Sequence, residues 1–594
     1  MTFPYLPVTR KEVEQRCWDS LDVILFSGDA YIDHPAFGAA VIARIIESQG
    51  LKIAVVPQPN WQDDLRDFKK LGKPNLFFAV TSGNMDSMVN HYTANKRLRN
   101  DDAYTPGNKH GARPDYAVVV YSNILKTVFP EVPVLIGGIE SSLRRLTHYD
   151  YWSDRLKPSI LVDSKADMLI YGMAEKPLIM LLQKLKRGIP FSRINDLPQS
   201  VILSKSVPVE TYVMLPSFET CVKDKKAFAL SFKTIEENSN KQSPDVLIQP
   251  HGNNYVIVQP PVSVTTKELD SYYDLPYTRV PHPKYQNKLP IPAYEMICHS
   301  VTIHRGCFGG CSFCSLAIHQ GKFIVSRSLE SIEKEVRDVT EMSDFKGYIT
   351  DLGAPSANMY NMQGKEMELC RKCKRPSCIY PAICSNLETN PQPLINLYQR
   401  ISRMKNVKKV TIGSGIRYDI HVRQWDKNRN HKEYLKELIV HHVSGRLKVA
   451  PEHIDDDVLS LMRKPSFSLF KEFAQFFDSV NRQYKLKEQL IPYFISNHPG
   501  STLQSMMNLA SELKQLNIKP EQVQDYTPTP MTLASVMYYS HINPYTLKPV
   551  YVSQSMDERK LQKDIFFWYL PEKRKMISKK VVSLQKLQLN KKMK

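Results

Sequence analysis

The stretch SVTIHRGCFGGCSFC, residues 300–314, joins a short β-branched run to three closely spaced cysteines. The run SVTI predicts a buried strand, and the glycines after it predict a loop that bends tightly. Cys307, Cys311 and Cys314 lie in that loop in the pattern C-x3-C-x2-C. Because ligands and chemistry gather where the strands of α/β barrels end, this loop is the first candidate for a functional site.

Three thiols suit a different metal group from four. Four thiolates close a tetrahedral zinc site, whereas three thiolates on a four-iron cluster leave one iron without a protein ligand. That open iron is able to bind a substrate or a second cofactor. The residues alone also leave open a zinc site that takes His304 or His319 as its fourth ligand.

The apolar runs that follow the cysteine loop predict more strands, with helical patterns between most of them. The predicted strands are residues 300–306, 347–353, 408–415, 446–453, 489–500 and 521–530. The predicted helices include residues 329–341, 433–442 and 502–516. Six strands with helical crossovers predict a partial (β/α)6 barrel over residues 293–570.

The N-terminal part alternates apolar runs with helical patterns as well. Strands are predicted at residues 22–28, 52–58, 75–83, 116–122, 132–138 and 167–172, and helices at residues 36–49 and 176–186. This pattern predicts a doubly wound parallel sheet, a Rossmann-like α/β domain over residues 1–190. Residues 27–29 and 137–142 follow predicted strands, where such sheets bind ligands. Residues 191–292, rich in Pro, Ser, Lys and Tyr, are predicted to be a connector that wraps one domain.

The cysteine pattern, with an aromatic residue before the last cysteine, resembles the signature of radical S-adenosylmethionine (SAM) enzymes. The resemblance implies that Cys307, Cys311 and Cys314 bind a 4Fe–4S cluster whose open iron chelates SAM. It implies reductive cleavage of SAM to a 5′-deoxyadenosyl radical, and a reductase such as a flavodoxin or ferredoxin as electron donor. The cofactors supply the chemistry, and the protein supplies position and exclusion of water.

The same resemblance suggests where SAM is held. Gly353, in the segment DLGAP after the second strand, takes the place of the family's Gly-rich contact to the methionine amine, with alanine where a second glycine is frequent. Glu452 and His453 end the fourth strand, near the family's ribose contacts. Asn497 ends the fifth strand, near the adenine segment. The alternative for Glu452 and His453 is the N-terminus of the following helix. No catalytic residue is assigned.

Four segments together closely resemble the YgiQ family, a bacterial radical SAM group of uncharacterised reaction: residues 27–50, the cysteine loop, and residues 351–360 and 447–465. The likeness covers about residues 19–568. The N-terminal sheet is similar to the cobalamin-binding type of domain, whose cobalt ligand lies in Asp-x-His-x-x-Gly. Here Asp33 and His34 are adjacent, which argues against His34 as a cobalt ligand. Cobalamin bound without a protein axial ligand stays open, and a nucleotide-type fold that serves as a substrate platform is favoured over it.

A second group of cysteines follows the second barrel strand. Cys370, Cys373, Cys378 and Cys384 lie in CRKCKRPSCIYPAIC. Four thiols in one short segment are able to bind a structural zinc or an auxiliary iron–sulfur cluster. The alternative is a set of reduced, partly buried thiols. The remaining cysteines, at positions 17, 221 and 298, are isolated and are predicted to be packing residues.

The net charge of +20 is concentrated in part at the end of the chain. Residues 571–594 carry nine Lys or Arg against one Glu, and this basic tail is predicted to be solvated and disordered, with RNA or an anionic surface as the alternative partner. No apolar run is long enough for a membrane span and no secretory signal is evident, which favours a cytosolic protein. Two other functions stay open: an RNA-modifying radical SAM enzyme, and a non-enzymatic iron–sulfur or zinc interaction protein.

Overall fold

The computed structural model describes residues 4–207 and 209–577. These residues form two α/β regions in succession. The strands of the first region are β1 (Val23–Ser27), β2 (Ile53–Pro57), β3 (Phe77–Thr81), β4 (Val134–Ile136), β5 (His148–Asp150), β6 (Arg155–Lys157), β7 (Met168–Ile170), β8 (Ser200–Ser204), β9 (Val213–Met214), β10 (Leu247–His251) and β11 (Asn254–Val258). Its helices are α1 (Arg10–Gln15), α2 (Gly38–Ser48), α3 (Arg66–Lys69), α4 (Ser87–His91), α5 (Ala117–Val128), α6 (Gly138–Leu143), α7 (Ile160–Ser164), α8 (Glu175–Lys186), α9 (Phe218–Lys223), α10 (Lys225–Ser239), α11 (Thr266–Tyr273) and α12 (Pro292–Ile297).

One sheet of nine strands dominates this region, in the order β2–β1–β3–β4–β7–β8–β11–β10–β9. The strands β2, β1, β3, β4 and β7 run parallel, which confirms the predicted doubly wound parallel sheet. Their order reverses between β1 and β3, so the carboxyl ends of these two strands flank the crevice where such sheets bind ligands. β5 and β6 form a separate antiparallel hairpin.

The strand predicted at residues 116–122 is wrong, because these residues enter α5. The run AVVVYSNILKTV is rich in β-branched side chains, which favours a strand. However, Ala117, Val118, Tyr121 and Leu125 are buried at helical spacing. Packing of that one face outweighs the local preference.

The connector predicted over residues 191–292 contributes four strands to the sheet. β8 pairs antiparallel with β7 and β11, and β10 pairs with β11 in a hairpin. The turn of this hairpin contains Gly252, whose φ of 55° favours glycine. Proline-rich, polar flanks hide most of these short apolar runs in the sequence.

The second region begins at Ser300. Its strands are β12 (Ser300–Thr302), β13 (His304–Arg305), β14 (Val325–Ser326), β15 (Tyr348–Ile349), β16 (Asp351–Gly353), β17 (Lys409–Val410), β18 (Arg446–Glu452), β19 (Gln489–Ser496) and β20 (Gln522–Asp525). Its helices are α13 (Leu316–Gln320), α14 (Leu329–Thr340), α15 (Met367–Cys370), α16 (Gln392–Ser402), α17 (Tyr418–Val422), α18 (Asn430–Glu437), α19 (Asp456–Met462), α20 (Phe467–Gln483), α21 (Leu503–Gln515), α22 (Leu533–Ser540) and α23 (Met556–Phe566).

Parallel pairing joins the first three predicted barrel strands with one another and the last three with one another. β12 pairs with β16, β15 with β17, and β18, β19 and β20 form a three-stranded sheet, all parallel. Helices lie between consecutive strands, so the partial barrel is confirmed. The carboxyl ends of its strands point toward the first region, since residues from both strand ends line one cavity.

The structure describes only part of the predicted basic tail. Residues 571–577 are helical, so this described part of the predicted disordered tail is ordered, with Pro571 at a helix start where its missing N–H costs nothing. The rest of the predicted basic tail, residues 578–594, lies outside the described residues. Within residues 4–207 and 209–577, no helix has both the length and the apolar character that crossing a membrane requires.

Candidate metal centre

The cysteine loop follows β13, as predicted, and two of its glycines are required by close approaches. Gly306 has a φ of 90°, and a Cβ at this position would lie 2.4 Å from the carbonyl oxygen of Phe323. Gly310 has a φ of 62°, and its Cβ would lie 2.3 Å from the carbonyl oxygen of Pro376. Both positions combine a left-handed backbone with a backbone neighbour that has no room to move aside. The loop therefore needs glycine there to keep its shape.

The three thiols are half-buried and close enough to influence one another. Burial, followed by the neighbouring thiols Cys311 and Cys307, raises the pKa of Cys314 to about 12. Burial and Cys311 raise the pKa of Cys307 as well. Burial of this kind disfavours the charged thiolate form of each cysteine. A bound metal cation balances that negative charge and so makes the thiolate form favourable.

The spacing of the sulfurs distinguishes a cluster from a single ion. Among the described residues, only Cys298, His299 and Asp344 place three potential ligand atoms all within 4.8 Å of one another. A tetrahedral zinc with bonds of ~2.3 Å needs its sulfurs about 3.8 Å apart. The three sulfurs of the loop do not form such a set, which argues against a single zinc ion, whereas thiolates on a polynuclear cluster bind different irons. The residues thus fit a 4Fe–4S cluster.

The two histidines considered as a fourth zinc ligand do not converge with the cysteine sulfurs. His304 is fully buried, and burial lowers its pKa to about 3. His319 directs Nδ1 at the Ser142 hydroxyl, 3.1 Å away. Neither joins the cysteine sulfurs in a set of converging ligand atoms, so the zinc alternative for this loop loses its support.

Arg417 is the functional residue that the sequence did not predict. Its guanidinium donates to the Cys311 sulfur at 3.5 Å, and Asp419 accepts from it at 2.7 Å. A Cβ on Gly309 would lie 2.7 Å from the same guanidinium, so this glycine gives Arg417 access to the loop. A buried cation beside thiolates stabilises their negative charge. The available signal was a charged residue just beyond the predicted third barrel strand.

Gly353 lies where SAM contact was predicted, inside a small polar cradle. The backbone N–H groups of Gly413 and Ser414 donate to Asp351 Oδ1 at 2.9 and 3.2 Å. A Cβ on Gly353 would lie 2.1 Å from the Ser414 hydroxyl oxygen and 2.6 Å from the Asp351 carboxylate. Burial raises the pKa of Asp351. The strand end is therefore shaped around the absence of a side chain at position 353.

Glu452 and His453 are both brought to the cysteine loop's side of the barrel. The Glu452 carboxylate adds to the high pKa of Cys314 and lies 3.7 Å from the Lys464 ammonium. His453 Nδ1 accepts the backbone N–H of Asp455 at 3.0 Å, next to the start of α19, as the helix-terminus alternative predicted. Its buried Nε2 has no protein partner among the described residues, which leaves one polar atom for a ligand. Burial lowers the pKa of His453 to about 3.

Asn497 is held by the protein at each polar atom of its side chain. Its Nδ2 donates to Asp525 Oδ1 at 3.3 Å and to the Arg559 carbonyl at 3.1 Å. Its Oδ1 accepts from the Ser553 hydroxyl at 3.4 Å. With a φ of 63°, it fixes the turn after β19, and its contact with the adenine end of SAM stays a prediction.

A cavity of about 540 Å³ lies between the two regions. The first sheet contributes Gly83, Gly137 and Gly138, and the barrel contributes Thr302 and Gly353. A second cavity of about 390 Å³ adjoins it, with Cys311 and Cys314 in its wall. These volumes are those of small-molecule pockets, about 300–1,000 Å³.

The other predicted ligand segment of the first sheet is closed. Asp29, which follows β1, is buried and lies 2.9 Å from the guanidinium of Arg113. Burial raises the pKa of Asp29 to about 6. Residues 27–29 therefore stabilise the strand end, while residues 137–139 face the cavity.

His34 does not face the cavity either. It is buried, and its Nδ1 accepts the backbone N–H of Ala36 at 3.1 Å, while its ring lies near Cys298. This agrees with the sequence argument that His34 is not a cobalt ligand.

The second cysteine group is packed against the first loop. The backbone N–H of Cys378 donates to the Phe308 carbonyl at 3.1 Å, and all four thiols are half-buried. Of the three cysteines predicted to pack, Cys221 is buried, Cys298 is half-buried and Cys17 is exposed. The prediction of a packing role is therefore wrong for Cys17, and Cys298 instead lies within the set formed with His299 and Asp344.

Comparison with known proteins follows the same division of the chain. The family profile described as Radical SAM N-terminal matches residues 5–300, and the profile described as a domain of unknown function, DUF3362, matches residues 521–583. A UPF0313 protein of Bacteroides thetaiotaomicron is 55% identical, with 96% of this chain and 95% of that protein covered. The UPF0313 protein YgiQ of Escherichia coli K12 is 43% identical, with 96% and 84% covered. The chain belongs to this UPF0313 (YgiQ) family.

Solved structures show more distant similarity. The radical SAM methyltransferase TsrM from Kitasatospora setae, with cobalamin and a [4Fe-4S] cluster bound, is 13% identical with a TM-score of 0.46 over 86% of this chain and 77% of that one. The cobalamin-dependent SAM radical enzyme OxsB is 10% identical with a TM-score of 0.47 over 88% and 55%.

Proposed function

We propose that this protein is a radical SAM enzyme that acts on a small molecule held between its two regions. The observation that carries the proposal is the cysteine loop: three thiols at the end of the first barrel strand, spaced too widely for one ion and adjoining a cavity. When bound there, a 4Fe–4S cluster with an open iron supplies reductive cleavage of SAM and a 5′-deoxyadenosyl radical.

The chain's own residues bind and orient the cofactors. Cys307, Cys311 and Cys314 hold the cluster, and Arg417 balances its negative charge through Cys311. Gly353 allows the methionine end of SAM to approach the strand end, where Asp351 already orders two backbone N–H groups. The unpartnered Nε2 of His453 is a donor or acceptor for the nucleoside end.

The cavity between the regions is the substrate site in this proposal. The strand ends of both regions line its walls, so a substrate held between them is partly shielded from water. We assign it to substrate rather than to cobalamin because His34, the histidine nearest to the cobalt-ligand motif, is engaged elsewhere.

Anaerobic reconstitution followed by chromatography tests the proposal. The reduced, iron-loaded protein is expected to convert SAM to 5′-deoxyadenosine, and the variant C307A/C311A/C314A is expected to form none. Cys17→Ser, which removes an exposed thiol outside the loop, is the matched control and is expected to keep the activity. A loaded and reducible cluster that yields no 5′-deoxyadenosine, with or without cell extract as a substrate source, would refute the proposal in favour of a non-enzymatic interaction protein.

A further inference from the structure

The segment with the second cysteine group, residues 370–384, is a fixed part of the fold. The backbone N–H of Gln242 donates to the Cys370 carbonyl at 3.2 Å, and the N–H of Cys384 donates to the Cys378 carbonyl at 2.8 Å. Arg375 donates to the carbonyl of Tyr380 at 3.2 Å within the same segment. The four cysteines are therefore held together by backbone contacts that need no metal to form.

The arrangement of the four sulfurs fits a cluster better than a zinc ion. The four thiols lie in one short segment, and Cys378 and Cys384 pack against the same apolar cluster as Phe308 and Cys307. Yet no three of their sulfurs lie within 4.8 Å of one another, since in the described part of the chain only the set containing Cys298 does so. Zinc requires sulfurs about 3.8 Å apart, whereas cluster corners are farther apart.

A buried cation next to these thiols points to a negatively charged occupant. Lys322 is only 6% exposed, and its ammonium donates to the Arg375 carbonyl at 2.5 Å. It forms no ion pair with a carboxylate of the described residues, while it acts electrostatically on Cys370 and Cys378. Buried charges are stable only when paired. Four thiolates around iron and sulfide give an anion that pairs with this ammonium. Asn386 adds an N–H donor 3.5 Å from the Cys370 sulfur, the kind of contact that tunes cluster potentials.

The position of the segment suggests what an occupant would do. Cys378 is joined by one hydrogen bond to Phe308, the residue next to Cys307, so a short path of bonds connects the two cysteine groups. On its other side, Arg371, Lys372 and Lys374 are exposed. An electron entering from solvent on this side has a direct route to the first cysteine loop.

We propose that Cys370, Cys373, Cys378 and Cys384 bind a second iron–sulfur cluster that passes electrons to the cluster of the first loop. One electron moves in each step: an external low-potential one-electron donor is oxidised as the second cluster is reduced, and the second cluster is re-oxidised as the first is reduced. The relay role rests on the proposed function, whereas the presence of a second cluster does not.

Metal analysis of the full-length protein after anaerobic reconstitution tests the site. Wild type is expected to hold about eight irons, and both C307A/C311A/C314A and C378A/C384A about four. Cys17→Ser, at an exposed thiol outside both cysteine groups, is the control and is expected to keep all of them. If C307A/C311A/C314A binds a single zinc, or no metal, the second cluster is refuted. Since C378A/C384A could fail to fold, its first cluster is checked by electron paramagnetic resonance (EPR). Lys322→Met provides a second variant that leaves all cysteines in place. It is expected to shift the EPR-monitored reduction potential of the second cluster to a more negative value. An unchanged potential contradicts the charge argument.

Reduction kinetics test the relay separately. In C378A/C384A, a small reductant such as dithionite is expected to reduce the first cluster at the wild-type rate, while a flavodoxin-type protein donor reduces it much more slowly. Equal rates with the protein donor would overturn the relay. A wild-type protein with eight irons that forms no 5′-deoxyadenosine would refute the proposed function and leave the second cluster standing.

Discussion

Replacing Gly353 by alanine perturbs the predicted SAM site by one methyl group. The new Cβ would lie 2.1 Å from the Ser414 hydroxyl oxygen and 2.6 Å from Asp351, so the serine must rotate and release the carboxylate. Overpacking costs about 1–3 kcal/mol. If that strain displaces the strand end that SAM must approach, the Kd for SAM rises roughly 5–150-fold. Because the cysteine loop lies on another strand end, the iron content is expected to stay unchanged.

Equilibrium binding of SAM to the iron-loaded, anaerobic variants measures this effect. Gly415→Ala is the matched control, since a Cβ there has no neighbour within 4 Å and the Kd is expected to stay within twofold or so of wild type. The double variant G353A/S414A removes the colliding hydroxyl and is expected to recover part of the affinity. An unchanged Kd in Gly353→Ala would show that SAM does not contact this strand end, and loss of iron together with SAM would show that the damage is general.

Three further outcomes are expected. Arg417→Gln combined with Asp419→Asn removes a buried charge pair without leaving either charge unpaired. In an EPR-monitored titration, the reduction potential of the first cluster should become more negative, by about 40 mV for each kcal/mol of lost stabilisation. An unmoved potential would contradict the contact with Cys311. His453 has its pKa lowered to about 3 from an ordinary 6.5. Its neutral form therefore stabilises the fold above pH 6.5, and this contribution is lost as the pH falls from 6.5 toward 3, at up to ~1.4 kcal/mol per pH unit. The fall in melting temperature between pH 7 and 5 should be smaller in His453→Gln, and an equal fall would contradict its burial. Glu175→Gln leaves the buried guanidinium of Arg305 without its carboxylate partner. The free energy of unfolding measured in urea should fall by about 3–5 kcal/mol, and the double variant E175Q/R305Q should recover most of it. A single variant as stable as wild type would show that the pair is dispensable.

The fold could be predicted where apolar periodicity was strong and local. The parallel strands β1 to β4 and β7 are continuous apolar runs bounded by glycine or polar residues. The helix α5 could not, because its β-branched sequence favours a strand and only the burial of Tyr121 and Leu125 on one face decides otherwise. Strands β8 to β11 are short, and they are stabilised by pairing at the edge of the parallel sheet, where β8 pairs with β7.

The candidate site was predictable only in its local part. Cys307, Cys311 and Cys314 are neighbours in sequence, and their spacing alone indicates a shared ligand. Arg417 lies more than a hundred positions away, and its place just beyond the third predicted barrel strand does not identify Cys311 as its partner. The contact between Phe308 and Cys378 is equally non-local, since it depends on how two loops after different strands pack.

The close fit of Gly310 against the Pro376 carbonyl has a consequence for how the protein is made. The ribosome finishes the first cysteine loop before it has synthesised the segment against which that loop packs, and the interval between Cys307 and Cys378 corresponds to roughly 4–14 s of synthesis. During that interval the three thiols belong to a nascent chain without the wall that Pro376 and Cys378 provide. The first loop therefore reaches the packing seen in the structure only after the segment that contains Pro376 and Cys378 has been synthesised.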